Sequence, residues 1–183
     1  VHCGAFPVAS RAALRALADS APEQFVLWSH RGPGDWVGLW LETIAARAAA
    51  GTMIPFSVLS PSGSDFLGIT SYLDPNAVNR SVEIGMTVYA PQAAGTAINP
   101  AAKRLLLAHA FGEGAVRVQF QVDDRNKRSQ AAVLKLGAKR EGILRNHRTL
   151  PDGFIRDTAF FSIIDMEWPE VKARLDARLA TRG

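Results

Sequence analysis

The chain has 183 residues, 48% apolar and 21% charged, the balance of an ordinary globular protein. A single cysteine, Cys3, excludes an internal disulfide framework and a cysteine-built zinc site, and no apolar run is long enough to span a bilayer. The formal charge is +4, yet residues 101–150 alone carry eleven Lys/Arg against four Asp/Glu, a local field suited either to an anionic partner or to a solvated basic face.

Neither a repeat nor a low-complexity tract divides the chain, so one domain over residues 1–183 is expected. Ser10 is placed to cap a helix running to about Leu17, and Asp35 to cap a second in which Trp36, Trp40, Leu41, Ile44 and Ala48 recur at helical spacing up to Gly51. Residues 24–28 between them are ambiguous. The period then shortens: residues 54–60 and 66–73 read as a hairpin around the turn Pro61–Asp65, and residues 82–89 as a third strand. Asn99 and Pro100 read as cap and first residue of a helix through Leu105, Leu106, Ala108 and Phe111, stopped by Gly112 and Gly114. Val116, Val118, Phe120 and Val122 alternate as a strand. A helix over 127–136 ends at Gly137. Strands over 138–149 and 154–164 flank the turn Pro151–Gly153, and Trp168-Pro169 opens a last helix. The order ααβββαβαββα makes a mixed sheet with helices packed on it.

The segment from Tyr89 to Pro100 carries the most chemistry. A loop of small residues feeding a helix N-terminus offers free backbone amides and the positive end of the helix dipole, a site for phosphate without charged side chains. It has neither the Gly-Lys-Ser/Thr of a Walker loop nor a Gly-x-Gly-x-x-Gly fingerprint. Gln92-Ala93-Ala94-Gly95-Thr96-Ala97 matches, at every fixed position, the Gln/Arg-x-x-Gly-x-Gly/Ala pyrophosphate motif of the GNAT-fold N-acetyltransferases. Glu83-Ile84-Gly85 is similar to the end of that family's fourth strand, and Asn126-x-x-Ser129 with Lys135-Leu136-Gly137 to the block after its fifth. Arg140-Glu141-Gly142, Leu150-Pro151-Asp152-Gly153 and Arg156-Asp157 resemble the C-terminal hairpin of the Rim-type branch. The resemblance covers residues 54–168.

The resemblance implies a mixed α/β fold: a twisted, mostly antiparallel sheet of about six to seven strands, flanked by helices. It implies acetyl-CoA as donor, with Met86, Thr87 and Val88 along the pantetheine arm, the amides of residues 93–97 with Gln92 and Asn99 at the pyrophosphate, and Asn126 and Ser129 also on the cofactor. It further implies direct attack by a primary amine in a ternary complex, on a protein N-terminal α-amine or a small-molecule amine. A cytoplasmic location and a homodimer are also expected; a metal, a membrane and a direct nucleic-acid partner are not. Glu83 is the candidate general base, against an exposed strand carboxylate or one paired to Arg80. Strict alternation puts Glu83, Gly85 and Thr87 on one face of their strand.

Where many family members carry a tyrosine acid this chain has Val133, so Ser129 is the candidate donor to the leaving thiolate, against a plain capping role. Asn126 is a pantetheine ligand or a helix cap. The empty acid position keeps a silent acyl-CoA-binding module open as an alternative. Arg125, Lys127, Arg128, Lys139 and Arg140 read as contacts to the 3′-phosphate of CoA rather than to RNA, since no RNA-binding motif accompanies them. His30, His109 and His147 lack metal-site spacing. Residues 29–36 and 145–157 are expected to line the acceptor cleft.

Overall fold

In the computed structural model, which describes residues 1–181, seven strands form one sheet in the order β1-β2-β3-β4-β5-β7-β6. The strands are β1 (His2–Ala5), β2 (Met53–Leu59), β3 (Phe66–Asn76), β4 (Ser81–Tyr89), β5 (Arg117–Asp123), β6 (Lys139–Thr149) and β7 (Ile155–Ile164); the helices are α1 (Val8–Ser20), α2 (Trp36–Ala49), α3 (Ile98–Gly112), α4 (Lys127–Leu136) and α5 (Trp168–Ala180). Every pairing is antiparallel except that of β4 with β5. The mixed α/β class expected from the sequence is the one found.

Two helical layers cover the sheet. On one face α3, α4 and α5 bury Tyr72, Ile84, Val118, Phe120, Ala159 and Phe161. The alternating apolar positions of β5 supply part of that surface, each fully buried side chain adding about 1.5–3 kcal/mol. On the other face α1 and α2 pack Leu14, Leu17, Trp40 and Ile44 over Met53, Ile69, Leu73 and Val88. This second layer lies over β2, β3 and β4.

Several boundaries differ from the sequence reading. β1 was not expected: four residues are too few for alternation to show, and the strand exists because it pairs with Phe56–Leu59 of β2. Helix α1 starts at Val8, before Ser10, and Ser10 caps nothing; its buried hydroxyl accepts a hydrogen bond from Ser57 at 2.7 Å. The ambiguous stretch begins inside a 3-10 turn over Pro22–Phe25 and leaves it as an irregular turn. In α2, Trp40 and Ile44 are buried as expected, but Val37 joins them while Ala48 is exposed. Asp35 does cap α2, accepting from the Gly38 amide at 3.0 Å.

Candidate active site

The site begins where a ladder stops. β4 and β5 pair only through Ser81, Val82 and Glu83 with Arg117, Val118 and Gln119. From Ile84 to Tyr89, β4 has β3 on one side and no strand on the other. Because β4 and β5 are parallel, their C-terminal ends fall on the same side of this opening. The loops that follow them, residues 90–97 leading to α3 and residues 124–126 leading to α4, stand at its mouth, where parallel strands ordinarily receive ligands.

A bulge shapes the free edge. Ser71 pairs with Gly85 and Ile69 with Val88, so β4 spends three steps where β3 spends two. Met86 takes up the extra residue at φ 48°, a left-handed conformation that costs a non-glycine residue roughly 1–2 kcal/mol. The bulge also corrects strict alternation. Thr87 leaves the face of Glu83 and Gly85 and turns towards α3, where its hydroxyl meets Thr70 Oγ1 at 2.9 Å. Both hydroxyls accept from Lys103 Nζ, at 2.8 Å to Thr70 and 2.6 Å to Thr87. Lys103 is buried at 4% exposure, and burial pushes its ammonium down to about 7. This α3 side chain, which the sequence reading did not single out, clamps the strand across its bulge.

The loop after β4 is built by its own small residues. The amides of Ala93 and Ala94 already donate to Ala90 O, and that of Thr96 to Ala93 O. Gly95, Ala97 and Asn99 keep amides that donate to no group among the described residues. Gly95 sits at φ 78°, and a Cβ built there meets nothing within 4 Å, so the backbone is open to an approaching ligand. The expected cap is corrected. Helix α3 starts at Ile98 and makes no side-chain cap bond through Asn99, which stands at its second position with Pro100 third. Thr96 does the work instead, its hydroxyl accepting from the Ile98 amide at 3.2 Å and donating to Ala93 O at 2.7 Å. Pro100 still lacks an N–H only where the first turn needs none. Ala93 is 2% exposed and belongs to the core, so of residues 93–97 the free donors are Gly95 and Ala97.

Glu83 lies at the closed end of the opening. It is 5% exposed and pairs with Gln121 of β5, whose Nε2 donates to its Oε2 at 2.6 Å, not with Arg80. Burial raises the carboxyl to about 7; Arg148, Arg47 and Arg156 pull the other way and Asp74 adds to the rise. Gln121 is held in turn by Arg148, which donates to its Oε1 at 2.9 Å. Neither Gln121 nor Arg148 was among the expected site residues. The available signal was the polar set Gln119, Gln121 and Asp123 alternating with the apolar set of β5.

Around this chain stand the two segments expected to line a cleft. His30 lies 6.4 Å from the ring centres of both Trp28 and Trp40. Burial, then Arg148, Arg47 and Arg156, lower it to about 4, so it is neutral at pH 7. His147 stacks edge-on against Phe160 at 5.5 Å. Arg156 of β7 is buried.

On the far side of the opening, Asn126 accepts from the Ser129 amide at 3.0 Å through Oδ1 and so caps α4. Ser129 is half-buried, and its hydroxyl bonds to none of the described residues. Val133 is 9% exposed and packed in the core. The basic cluster is mostly spent on the fold. Arg125 grips Asp123, Lys127 pairs with Asp124 at 3.1 Å, Lys139 with Glu167 at 2.6 Å and Arg140 with Asp124 at 3.7 Å. Arg128 is the member without an ion pair among the described residues.

Residues 11–139 match the family model described as "Acetyltransferase (GNAT) domain". The chain belongs to the GNAT acetyltransferase family. It is an acetyl-CoA-dependent N-acetyltransferase. Among solved structures, a putative acetyltransferase from T. thermophilus is 39% identical with a TM-score of 0.80, over 92% of this chain and 89% of that one. Mycobacterium smegmatis RimJ, in complex with CoA-disulfide, is 26% identical with a TM-score of 0.80, over 97% and 88%. Spermidine/spermine N-acetyltransferase SpeG from Vibrio cholerae is 15% identical with a TM-score of 0.69, over 92% and 95%, a likeness of fold alone. No curated protein matches the chain. Among the described residues, no helix of this GNAT protein is long and apolar enough to cross a membrane, and no group of three or more His, Cys, Asp and Glu side chains is placed to hold a metal.

Proposed function

We propose that the protein is a Rim-type N-acetyltransferase acting on α-amines, first of all a protein N-terminus, with Glu83 as general base. The observation that carries this reading is Glu83 itself: a buried carboxyl raised to about 7, at the closed end of the opening between β4 and β5. A base with that value is half ionised at neutral pH, where general catalysis is most efficient. An α-amine titrates near ~7.7–8.0 and a lysine near ~10.4, so one modest base suits the former. Arg148 and Arg156 act on both Glu83 and His30, while Arg47 is paired to Asp74, and a positive field of this kind at the base opposes a polycationic acceptor such as a polyamine.

The chain fits the donor it would hold. The unpaired edge of β4 along Met86, Thr87 and Val88 offers backbone groups to the amide-bearing pantetheine arm, and Gly95, Ala97 and Asn99 offer amides to the pyrophosphate beside Gln92. When bound, acetyl-CoA supplies an acetyl group activated as a thioester. Glu83 accepts the proton from the attacking nitrogen as the C–N bond forms, and Gln121 fixes the carboxylate that receives it. The Ser129 hydroxyl, without a partner among the described residues, donates towards the sulfur as the C–S bond breaks. Asn126 orders the same turn by capping α4.

Calorimetric titration with acetyl-CoA, with CoA and ADP as controls, tests the donor site. Assays on peptides with free Ala or Ser N-termini then test the chemistry. Glu83→Gln is expected to bind acetyl-CoA like the parent and to turn over about 10²-fold more slowly. Equal rates for parent and variant would remove Glu83 from the mechanism. Tight acetyl-CoA binding with no turnover on any amine would favour the silent binding module.

A further inference from the structure

Neither of two guanidinium groups near Glu83, those of Arg148 and Arg156, exchanges a proton in the transfer just described. Arg156 of β7 is 6% exposed and stands directly opposite Arg148 of β6 in the ladder. Like charges placed opposite each other work against a sheet. The Arg156 Nε has no hydrogen-bond partner among the described residues, and the nearest carboxylate, Asp123, lies 3.9 Å away. That carboxylate is already taken: Arg125 grips both its oxygens, through Nε at 3.0 Å and a terminal nitrogen at 2.7 Å. Thr158, two residues further along the same face of β7, has a buried hydroxyl that is also without a partner. A buried cation without its own anion is costly, so the fold leaves here a group that an incoming anion would satisfy.

The position of this cation pair is specific. Arg148 bonds to one end of the Gln121 side-chain amide and Glu83 to the other, at 2.9 Å and 2.6 Å. One amide group therefore separates the base from Arg148, and Arg156 stands opposite Arg148. We propose that Arg156, with Arg148 beside it, is an anion subsite that binds a carboxylate carried by the acceptor within a few bonds of its amine. This deepens the reading of the protein as an N-acetyltransferase and rests on it. The guanidinium fork matches a planar carboxylate, and holding that group at β7 directs the amine towards Glu83. Two sources carry this chemistry: the α-carboxylate of a free amino acid, or an acidic side chain in the first residues of a peptide.

The test is calorimetric and needs no turnover. With CoA present, alanine is titrated against alaninamide, and C-terminally amidated peptides beginning Asp-Ala or Ala-Asp against their Asn counterparts. The expected result is about 10- to 100-fold tighter binding of the acid in one of these pairs, the span of a charge-assisted hydrogen bond. The pair that discriminates names the source. Arg156→Met is expected to abolish the preference, and Arg156→Lys to restore part of it. Equal affinities for acid and amide in every pair would overturn the proposal, and this comparison uses only the parent protein. A preference that survives in a folded Arg156→Met would overturn it as well. Selective carboxylate binding without acetyl transfer would leave the subsite standing while the transferase reading fell.

Discussion

Glu83 couples chemistry to stability, and the coupling has a definite sign. Its carboxyl titrates near 7 in the folded protein against an ordinary value of 4.5, chiefly because it is buried. The folded state holds its proton more tightly than the unfolded one, so the contribution of Glu83 to stability is fully present below about pH 4.5 and is lost as pH rises through 7. Glu83→Gln removes the penalty of ionising in a buried place. Thermal unfolding of the variant is expected to match the parent near pH 4.5 and to show about 2–3 kcal/mol greater stability at pH 8. A variant less stable than the parent at pH 8 would mean that the Gln121 contact outweighs desolvation. The glutamate was legible because a carboxylate in an otherwise apolar strand is chemically conspicuous. Its partners were not. Gln121, Arg148 and Arg156 meet it only through the register of β5, β7 and β6, which no local pattern records.

Elements were more legible than their ends. Helix α4 runs over Lys127–Leu136 as the cap, the apolar spacing and Gly137 together require, with Gly137 at φ 108°. The bulge in β4 left no trace in the sequence, because Met86 is neither glycine nor asparagine and the clamp that holds it comes from Lys103, seventeen residues on. The start of α3 was misread for a related reason. Asn-Pro is a strong start signal, but Thr96 can bond forward to Ile98 and back to Ala93, which begins the helix two residues sooner than a helix started by Pro100 would. Gly95 in that loop supports a further prediction. Gly95→Ala should cost about 1 kcal/mol of stability from its left-handed backbone alone, since a methyl there touches nothing in the protein. Acetyl-CoA affinity of the folded variant should fall about tenfold, because the methyl stands among the free amides of Gly95, Ala97 and Asn99. Unchanged affinity in calorimetry would place the phosphates elsewhere.

Across the whole molecule, the family resemblance and the alternation of polar and apolar residues foretold a mixed sheet between helices, and that is the architecture found. One edge escaped both, since β1 is too short to show a pattern, while the other edge, β6, was read as a strand. What neither could convey is how the sheet is joined. Three residue pairs between β4 and β5 are all that link the leaf β1-β2-β3-β4 to the leaf β5-β7-β6 within the sheet. Beyond them, among the described residues, come one backbone bond from the Val116 amide to Arg80 O, the Gln121–Glu83 hydrogen bond and packed side chains, which hold two leaves less rigidly than a full ladder of backbone bonds.

That seam has a mechanical consequence. Along it the donor would lie as a strut, lending the missing rungs of the ladder and resisting the swing of one leaf against the other. Hydrogen–deuterium exchange would register the stiffening. Added CoA should slow exchange along residues 84–89 and also in β5 and β7, whereas ADP should protect only the loop around residues 95–99. Protection confined to that loop with both ligands would mean that the leaves are already locked by their side chains, and that the seam is no hinge.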